Sequence, residues 1–260
     1  MKYTLSIVTF VALLISSCTS SRKLAYLNNP IGPVGSESFT MEIPDYRIQT
    51  RDILYITVKA MTSDGKIVDF LTSGSSSGVN LTQGESGGFL YGYDVNPEGY
   101  IEIPSIGLLH VNELTLGEAK KLLQESANKV FKNSTVECKL LSFKFTVIGE
   151  VRIPGTYVNY NNYLTVLEAI GRAGGIDDFG NRSNVLVVRP VDKGTRTFAI
   201  NLQDKKLLSS EAYFLLPNDV VIVGPLKHKI FNMNLPTVSF ILTSVTSAIT
   251  TTLLLINYLK

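Results

Sequence analysis

The chain of 260 residues carries 24 lysine and arginine residues against 22 acidic ones, a formal net charge of +2, and 45% of its residues are hydrophobic. This near-neutral composition, without a basic cluster, argues against nucleic-acid binding. The length is ample for a hydrophobic core, and the cysteines are Cys18 and Cys138.

The N-terminus has the features of a targeting signal. An almost wholly apolar run from Leu5 to Ile15 is too short to span a bilayer as a mature helix. It ends in Leu14-Ile15-Ser16-Ser17-Cys18, which resembles a bacterial lipobox. We therefore predict a lipoprotein signal peptide over residues 1–17, cleavage between Ser17 and Cys18, and lipidation of Cys18. The alternative is an ordinary secretory signal in which Cys18 is incidental.

The middle of the chain is predicted to consist of strands, turns and two short helices. Ile53 to Val58 and Val220 to Val223 are rich in β-forming residues, and Thr135 to Glu150 is also strand-forming. Asn96-Pro97-Glu98-Gly99 has the composition of a turn that leads into a strand. The Gly/Ser-rich stretch from Ser73 to Gly92 is predicted to be a long surface loop.

Two sequence echoes predict the helices. Leu114-Thr115-Leu116-Gly117-Glu118-Ala119 and Leu164-Thr165-Val166-Leu167-Glu168-Ala169 each place a glutamate three residues after a threonine, which is a capping box. The two glutamates are therefore assigned to capping and not to catalysis. The second helix is expected to stop at Gly174-Gly175. The first helix is expected to bury one apolar face, formed by Leu116, Ala119, Leu122, Leu123, Ala127 and Val130.

The C-terminal segment is long and apolar enough to cross a membrane. Ile230 to Leu259 contains no Asp, Glu, Lys or Arg, and Pro236 suits the first turn of a helix, so we expect the helix to start near it. At 100° per residue, one line holds a hydroxyl stripe, and aliphatic residues including Ile241 and Val245 lie opposite. The hydroxyl stripe consists of Ser239, Thr243, Thr246 and Thr250.

The hydroxyl stripe has two interpretations. In a ring of helices around water, Ser239, Thr243, Thr246 and Thr250 would line the lumen while the aliphatic residues face lipid. In a single-pass anchor, the hydroxyls would bond to their own backbone or pack helix against helix. A chain already anchored by lipid at Cys18 has less need of a second anchor, which favours the pore.

These patterns predict an α+β fold with two tandem small β-rich domains and a C-terminal transmembrane helix. The expected divisions are a signal peptide at 1–17, a tether at 18–43, a first domain at 44–143, a second domain at 144–226 and the helix at 230–259. No nucleophile–base pair, metal-ligand spacing or nucleotide motif is present, and the histidines, His110 and His228, lie far apart. The chain is therefore expected to be neither an enzyme nor a holder of a cofactor or metal.

A family resemblance is carried by four stretches of the sequence, which are Tyr46 to Leu54, Gly99 to Gly107, Val147 to Tyr157 and Leu216 to Val221. Together with the two capping-box motifs, they resemble the Wza-type outer-membrane polysaccharide export family, in a Bacteroidetes-like version. Tyr46 to Leu54 resembles the opening of its export-sequence domain, with Thr50-Arg51-Asp52 in place of the usual Pro-Gly-Asp turn. Gly99 to Gly107 resembles that domain's second half. Val147 to Tyr157, and then Leu216 to Val221, resemble a soluble-ligand-binding β-grasp (SLBB) domain.

The resemblance implies an outer-membrane lipoprotein with its soluble domains in the periplasm, forming a homo-oligomeric ring that exports capsular or extracellular polysaccharide. It also implies an inner-membrane polysaccharide co-polymerase or tyrosine-kinase partner. A single β-grasp unit, where larger exporters carry more, implies a short vestibule. The alternative function is a periplasm-facing glycan-binding lipoprotein without a pore. An inner-membrane bitopic protein is a second alternative, which the lipobox disfavours.

Overall fold

The computed structural model describes residues 25–28, 38–62, 64–71, 92–191 and 193–259. The predicted signal peptide, the lipobox with Ser17 and Cys18, and all but the last residue of the predicted Ser73 to Gly92 loop lie outside the described residues. The described chain is an α+β protein in which strands dominate, with two tandem domains and a long C-terminal helix, and this confirms the predicted fold class.

The first domain is a small antiparallel sheet covered by one helix. Its central strand β1 (Ile53–Met61) pairs with β2 (Ile67–Asp69), β3 (Tyr93–Asp94) and β6 (Thr135–Leu140). A separate hairpin joins β4 (Tyr100–Ile103) to β5 (Gly107–His110), after a turn in which Gly99 has φ +85°. Helix α1 (Leu116–Val130) packs against β6. The core is fully buried between them, and its residues include Leu54, Ile56, Val58, Ile101, Leu123 and Val136.

The second domain is built on a five-stranded sheet. Its strands are β7 (Lys144–Gly149), β8 (Gly155–Val158), β10 (Gly180–Val191), β11 (Gly194–Ile200) and β13 (Val220–Pro225). Their order across the sheet is β11-β10-β13-β7-β8. The β13–β7 pair is parallel, and the others in this sheet are antiparallel. Helix α2 (Val166–Arg172) follows β9 (Leu164–Thr165), which pairs with β12 (Phe214–Leu215), and a 3-10 helix spans Lys205–Ser209.

Both predicted capping boxes are confirmed. In α1 the Thr115 hydroxyl accepts from the Glu118 main-chain N–H at 3.2 Å, and the Glu118 carboxylate accepts from the Thr115 N–H at 2.8 Å. Thr165 and Glu168 repeat these two bonds at the start of α2. Each bond satisfies a main-chain donor that a helix start leaves without an intrahelical partner. The second helix ends before Gly174 and Gly175, at φ +75° and +85°, as predicted.

The predicted burial of the first helix needs one correction. Ala119, Leu123 and Ala127 are buried, and Leu116 and Leu122 are partly buried, but Val130 is 48% exposed. The helix ends at Val130, and Phe131 takes an extended conformation with φ −119°. Phe131 therefore turns onto the core in place of Val130, where it stacks on Phe70 with ring centroids 4.6 Å apart.

The C-terminal helix α3 (Lys227–Tyr258) begins earlier than predicted, with Leu226 alone separating it from the end of β13, and contains Pro236 in its interior. An internal proline removes one main-chain hydrogen bond and crowds the preceding turn, but its fixed φ is itself helical. The proline therefore does not mark the helix start. The strand-forming run from Thr135 to Glu150 is also divided, since β6 and β7 belong to different domains.

Candidate functional site

Helix α3 presents an uncovered apolar surface. Leu235–Tyr258, 24 residues with a mean hydropathy of 1.8, is long and apolar enough to span a membrane, and no part of it is buried against the rest of the described chain. Phe240, for example, is 72% exposed. A continuous apolar surface of this length requires lipid or other protein to cover it.

The predicted pore-lining residues are all exposed, and each donates its hydroxyl to the helix backbone. Ser239 donates to the Pro236 carbonyl at 2.9 Å, Thr243 to the Ser239 carbonyl at 2.9 Å, and Thr246 to the Leu242 carbonyl at 3.0 Å. Thr250 donates to the Thr246 carbonyl at 2.9 Å. These bonds use each hydroxyl's only proton, while its oxygen still accepts hydrogen bonds. They are the bonds that the single-pass interpretation expects, and a water-facing stripe accommodates them too.

The start of α3 is tied to the second domain. Lys229, in the first turn, contacts both carboxylate oxygens of Glu150 at 2.6 and 2.8 Å, and the Leu226 N–H donates to the Phe179 carbonyl at 2.7 Å. Beneath them Gly149 has φ +93°, and a Cβ there would stand 2.1 Å from the Val223 carbonyl oxygen. The first turn of the helix is therefore anchored to the second domain by local contacts.

A buried ion pair supports the strand that leads into α3. Arg189 is 6% exposed and Asp219 is fully buried, with Arg189 Nη2 2.8 Å from Asp219 Oδ2. Asp219 also accepts from the Leu216 N–H at 2.9 Å, and Arg189 donates to the Phe214 carbonyl at 2.8 Å. Burial raises the pKa of Asp219 above its usual value, although the hydrogen bonds from Arg189 and the Leu216 N–H oppose the rise.

The N-terminal side of the described chain also lies on the second domain. Leu27 and Asn28 donate their main-chain N–H groups to the carbonyls of Leu202 and Gln203, at 2.9 and 2.7 Å. The guanidinium of Arg182 lies over the Tyr26 ring, 5.7 Å from its centroid. Sequence reasoning missed this contact because a short segment without periodicity gives no signal of where it binds.

Cys138, the cysteine within the described residues, is suited to packing and not to reaction. It lies on the inward face of β6 with Val136 and Leu140, as the alternation predicts, and packs against the core of the first domain. Burial raises the pKa of its thiol to about 12. The reactive thiolate is therefore scarce at neutral pH.

A buried carboxylate joins the two domains. Asp52, 4% exposed, accepts from the Tyr46 hydroxyl at 2.7 Å, the Gln49 N–H at 2.9 Å and the Ser142 hydroxyl at 2.8 Å. Burial, with the Asp52 charge beside it, raises the pKa of Tyr46 well above its usual value. Ser142 lies between β6 and β7, so the network holds the interdomain link against the turn that precedes β1.

Beside this network lies a cleft of about 490 Å³ between the domains. We call it the interdomain cleft, and define it by Thr50, Arg51, Asp52, Lys144, Tyr160 and Asn218. Arg51 and Asn218 both have positive φ, +71° and +67°. Sequence reasoning noted Thr50-Arg51-Asp52 as a departure from a usual turn but did not identify a cleft, because its two walls are far apart in the sequence.

Within the described residues, no group of three or more His, Cys, Asp or Glu side chains is arranged to hold a metal ion. His110 stacks edge-on against Tyr100, with ring centroids 4.9 Å apart. Glu118 and Glu168 are occupied in their helix caps.

Comparisons with known proteins match both domains. The family described as polysaccharide biosynthesis/export protein matches residues 41–141, and the SLBB domain matches residues 143–223. The EPS I polysaccharide export outer membrane protein EpsA of Ralstonia nicotianae is 30% identical over 168 residues, which cover 62% of this chain and 42% of that protein. Its counterpart of the same name from Ralstonia solanacearum is 31% identical over 150 residues, covering 55% and 39% of the two chains. The matched region thus spans about two fifths of the length of these curated relatives.

Proposed function

Because this chain belongs to the Wza-type polysaccharide export family, we propose that it is an outer-membrane lipoprotein whose copies assemble into a ring-shaped channel for polysaccharide. The observation that carries the proposal is α3. It is an apolar helix of membrane-spanning length, uncovered in the single chain, with hydroxyls on one line and aliphatic residues opposite. A ring of such helices turns the aliphatic faces to lipid and the hydroxyl stripes to the polymer and water.

The attachments of the second domain support one orientation. Helix α3 leaves β13 directly, and the N-terminal segment contacts this domain at Tyr26. Tyr26 is eight residues after the proposed lipid site at Cys18. A fully extended chain of that length reaches roughly 28 Å. The second domain therefore faces the outer membrane, and the first domain extends into the periplasm, toward an inner-membrane co-polymerase or kinase partner.

A second candidate function is a glycan-binding lipoprotein without a pore. It is favoured by the main-chain hydrogen bonds of Ser239, Thr243, Thr246 and Thr250, which supply these four hydroxyl protons with acceptors inside one helix.

Electron microscopy of the full-length protein purified in detergent separates the two functions, combined with conductance across planar lipid bilayers. The channel requires closed rings with a central opening at the membrane end and stepwise ion conductance. Monomeric particles without conductance would contradict it and leave the binding lipoprotein. A chain lacking α3 is the matched control, because it keeps both soluble domains and should give neither rings spanning the membrane nor conductance.

A further inference from the structure

We propose that the interdomain cleft binds an acidic sugar unit, such as a uronic acid residue of the exported polymer. The inference rests on the proposed function for the presence of a polysaccharide, and it adds the chemical class of the sugar and the residues that select it. The cleft contains two cationic side chains, one buried carboxylate whose oxygens already accept hydrogen bonds from the protein, and one exposed tyrosine ring.

The cations come one from each domain. Arg51 precedes β1 in the first domain, and Lys144 begins β7 in the second. Both side chains are exposed, and neither lies within 4.0 Å of a carboxylate among the described residues. A cleft in which cations outnumber carboxylates carries a net positive charge and attracts an anion. Arginine is also well suited to paired hydrogen bonds with a carboxylate.

The one carboxylate in the cleft is buried and offsets only part of this positive charge. Asp52 is buried, and its oxygens accept from Tyr46, Gln49 and Ser142. This network also holds the two walls of the cleft together, since the Ser142 hydroxyl donates to Asp52 from 90 positions away in the sequence. On the other wall the Asn218 N–H donates to the Lys144 carbonyl at 2.7 Å. The two cations are therefore presented on a fixed frame.

An aromatic ring stands at the edge of the cleft. Tyr160 is 71% exposed, although the loop that carries it is well anchored. The preceding residue Asn159 is 1% exposed, donates its main-chain N–H to the Phe143 carbonyl at 2.7 Å, and accepts from Arg172 Nη2 at 3.0 Å. A tyrosine ring has an apolar face and a polar tip, which matches a sugar ring with its C–H face and hydroxyls. Thr50 and Asn218 add neutral polar groups for hydroxyls.

The backbone conformation at Arg51 shows whether the turn itself requires an arginine side chain. Its φ of +71° is a conformation that glycine adopts freely and that a side chain with a Cβ adopts at a cost. Its main-chain N–H donates to the Val95 carbonyl at 2.8 Å, a bond that glycine would keep. The turn therefore does not require an arginine side chain, and Arg51→Gly can remove the cation while the backbone conformation is retained.

The test is isothermal titration of the full-length, detergent-solubilised protein with a trimer of galacturonic acid. Its neutral methyl ester and inorganic phosphate are the comparison ligands. We expect the acidic trimer to bind, the ester to bind at least tenfold more weakly, and phosphate not to bind with comparable affinity. High salt should weaken binding of the acidic trimer. Binding of the acidic trimer should be at least tenfold weaker in each of three variants, Arg51→Gly, Lys144→Gln and Tyr160→Ala. None of them should lower the melting temperature of the protein.

Two matched variants control for the substitutions themselves. Asn133→Gly replaces another residue of positive φ, +53°, and Lys121→Gln removes a cation from the exposed side of α1. Both should bind the acidic trimer as the parent does. Equal affinity for the ester or phosphate, absence of binding, or a clear loss of melting temperature in Arg51→Gly would overturn the inference.

The same preparation is tested for conductance, which keeps the two claims separate. A conducting protein that does not prefer the acidic trimer overturns the sugar assignment alone. A protein that binds the trimer through these residues but does not conduct supports the cleft and overturns the channel.

Discussion

At the residue scale, the Arg189–Asp219 pair is the group whose removal should cost the second domain most. Arg189→Met keeps most of the side-chain volume but leaves a fully buried carboxylate without its cation. Breaking a buried pair from one side costs ~3–5 kcal/mol of unfolding free energy. Chemical denaturation should report this loss, and the double variant Arg189→Met/Asp219→Asn should recover part of it, because the amide oxygen still accepts from the Leu216 N–H.

An exposed ion pair provides the control for the effect of breaking the buried pair. Arg196 and Glu211 are 2.8 Å apart but 55% and 58% exposed, so Arg196→Met should change stability by no more than ~1 kcal/mol.

Burial raises the pKa of Asp219 in the folded state, so its protonated form favours folding at acidic pH and that gain is lost as pH rises through the raised value. The deficit of Arg189→Met should therefore shrink toward pH 3.8, the ordinary value for this group. A deficit independent of pH would contradict this account.

Cys18 sets the second prediction at this scale. Cys18→Ser should leave an unprocessed precursor that does not reach the outer membrane, because the proposed acyl chains supply ~0.8 kcal/mol per buried methylene. Mass spectrometry of the N-terminus and membrane fractionation measure both effects. Cys138→Ser, at a partly buried strand position, is the matched substitution and should leave processing unchanged. A normally processed, normally located Cys18→Ser protein would exclude the lipobox.

At the scale of elements, sequence reasoning succeeded where the information is local. A capping box needs four neighbouring residues, so Thr115–Glu118 and Thr165–Glu168 could be identified directly. The strand over Ile53 to Val58 could likewise be predicted from its β-forming residues. The packing at the end of α1 could not be predicted, because the contact of the partly buried Phe131 with the core, in place of Val130, depends on how the chain turns after the helix.

The candidate sites depended on contacts that sequence order does not reveal. Ser142 meets Asp52 across 90 positions, and Lys229 meets Glu150 across 79. Neither pair has a spacing that periodicity could detect, since each is created by the packing of whole domains. By contrast, the faces of α3 follow from helix geometry alone, and the hydroxyl stripe could be predicted as a surface, although its partner could not.

Removal of α3 tests whether the elements are modular. A chain that ends before Phe231 should keep both folded domains, because each has its own buried core and capped helix. It also retains Lys229 and its contact with Glu150. Circular dichroism should show retained strand content, while detergent extraction should show loss of the embedded segment. Global unfolding of the truncated chain would contradict two independent domains.

At the scale of the whole molecule, the two domains and α3 are connected in series, which in the proposed orientation would run from the periplasm to the membrane. The Asp52 network joins the first domain to the second, and the Glu150–Lys229 contact joins the second domain to the helix. In an oligomer, these links fix the rotation of α3 relative to the soluble ring. The hydroxyl stripe would then face the same direction in every copy, which a common lumen requires.

The central claim is that this direction is inward, and cysteine accessibility in the assembled, membrane-embedded protein tests it most directly. Single cysteines replace the hydroxyl-stripe residues Ser239, Thr243, Thr246 and Thr250 in one set, and Ile241, Val245 and Ile249 in the other, all with Cys138→Ala. The channel predicts that a water-soluble thiol reagent labels the first set and spares the second, with a helical period. Charges at the lipid-facing set should also impair insertion more, by ~2.5–3.5 kcal/mol at the bilayer centre. Equal protection of both sets would contradict a water-filled lumen and leave α3 as a simple anchor.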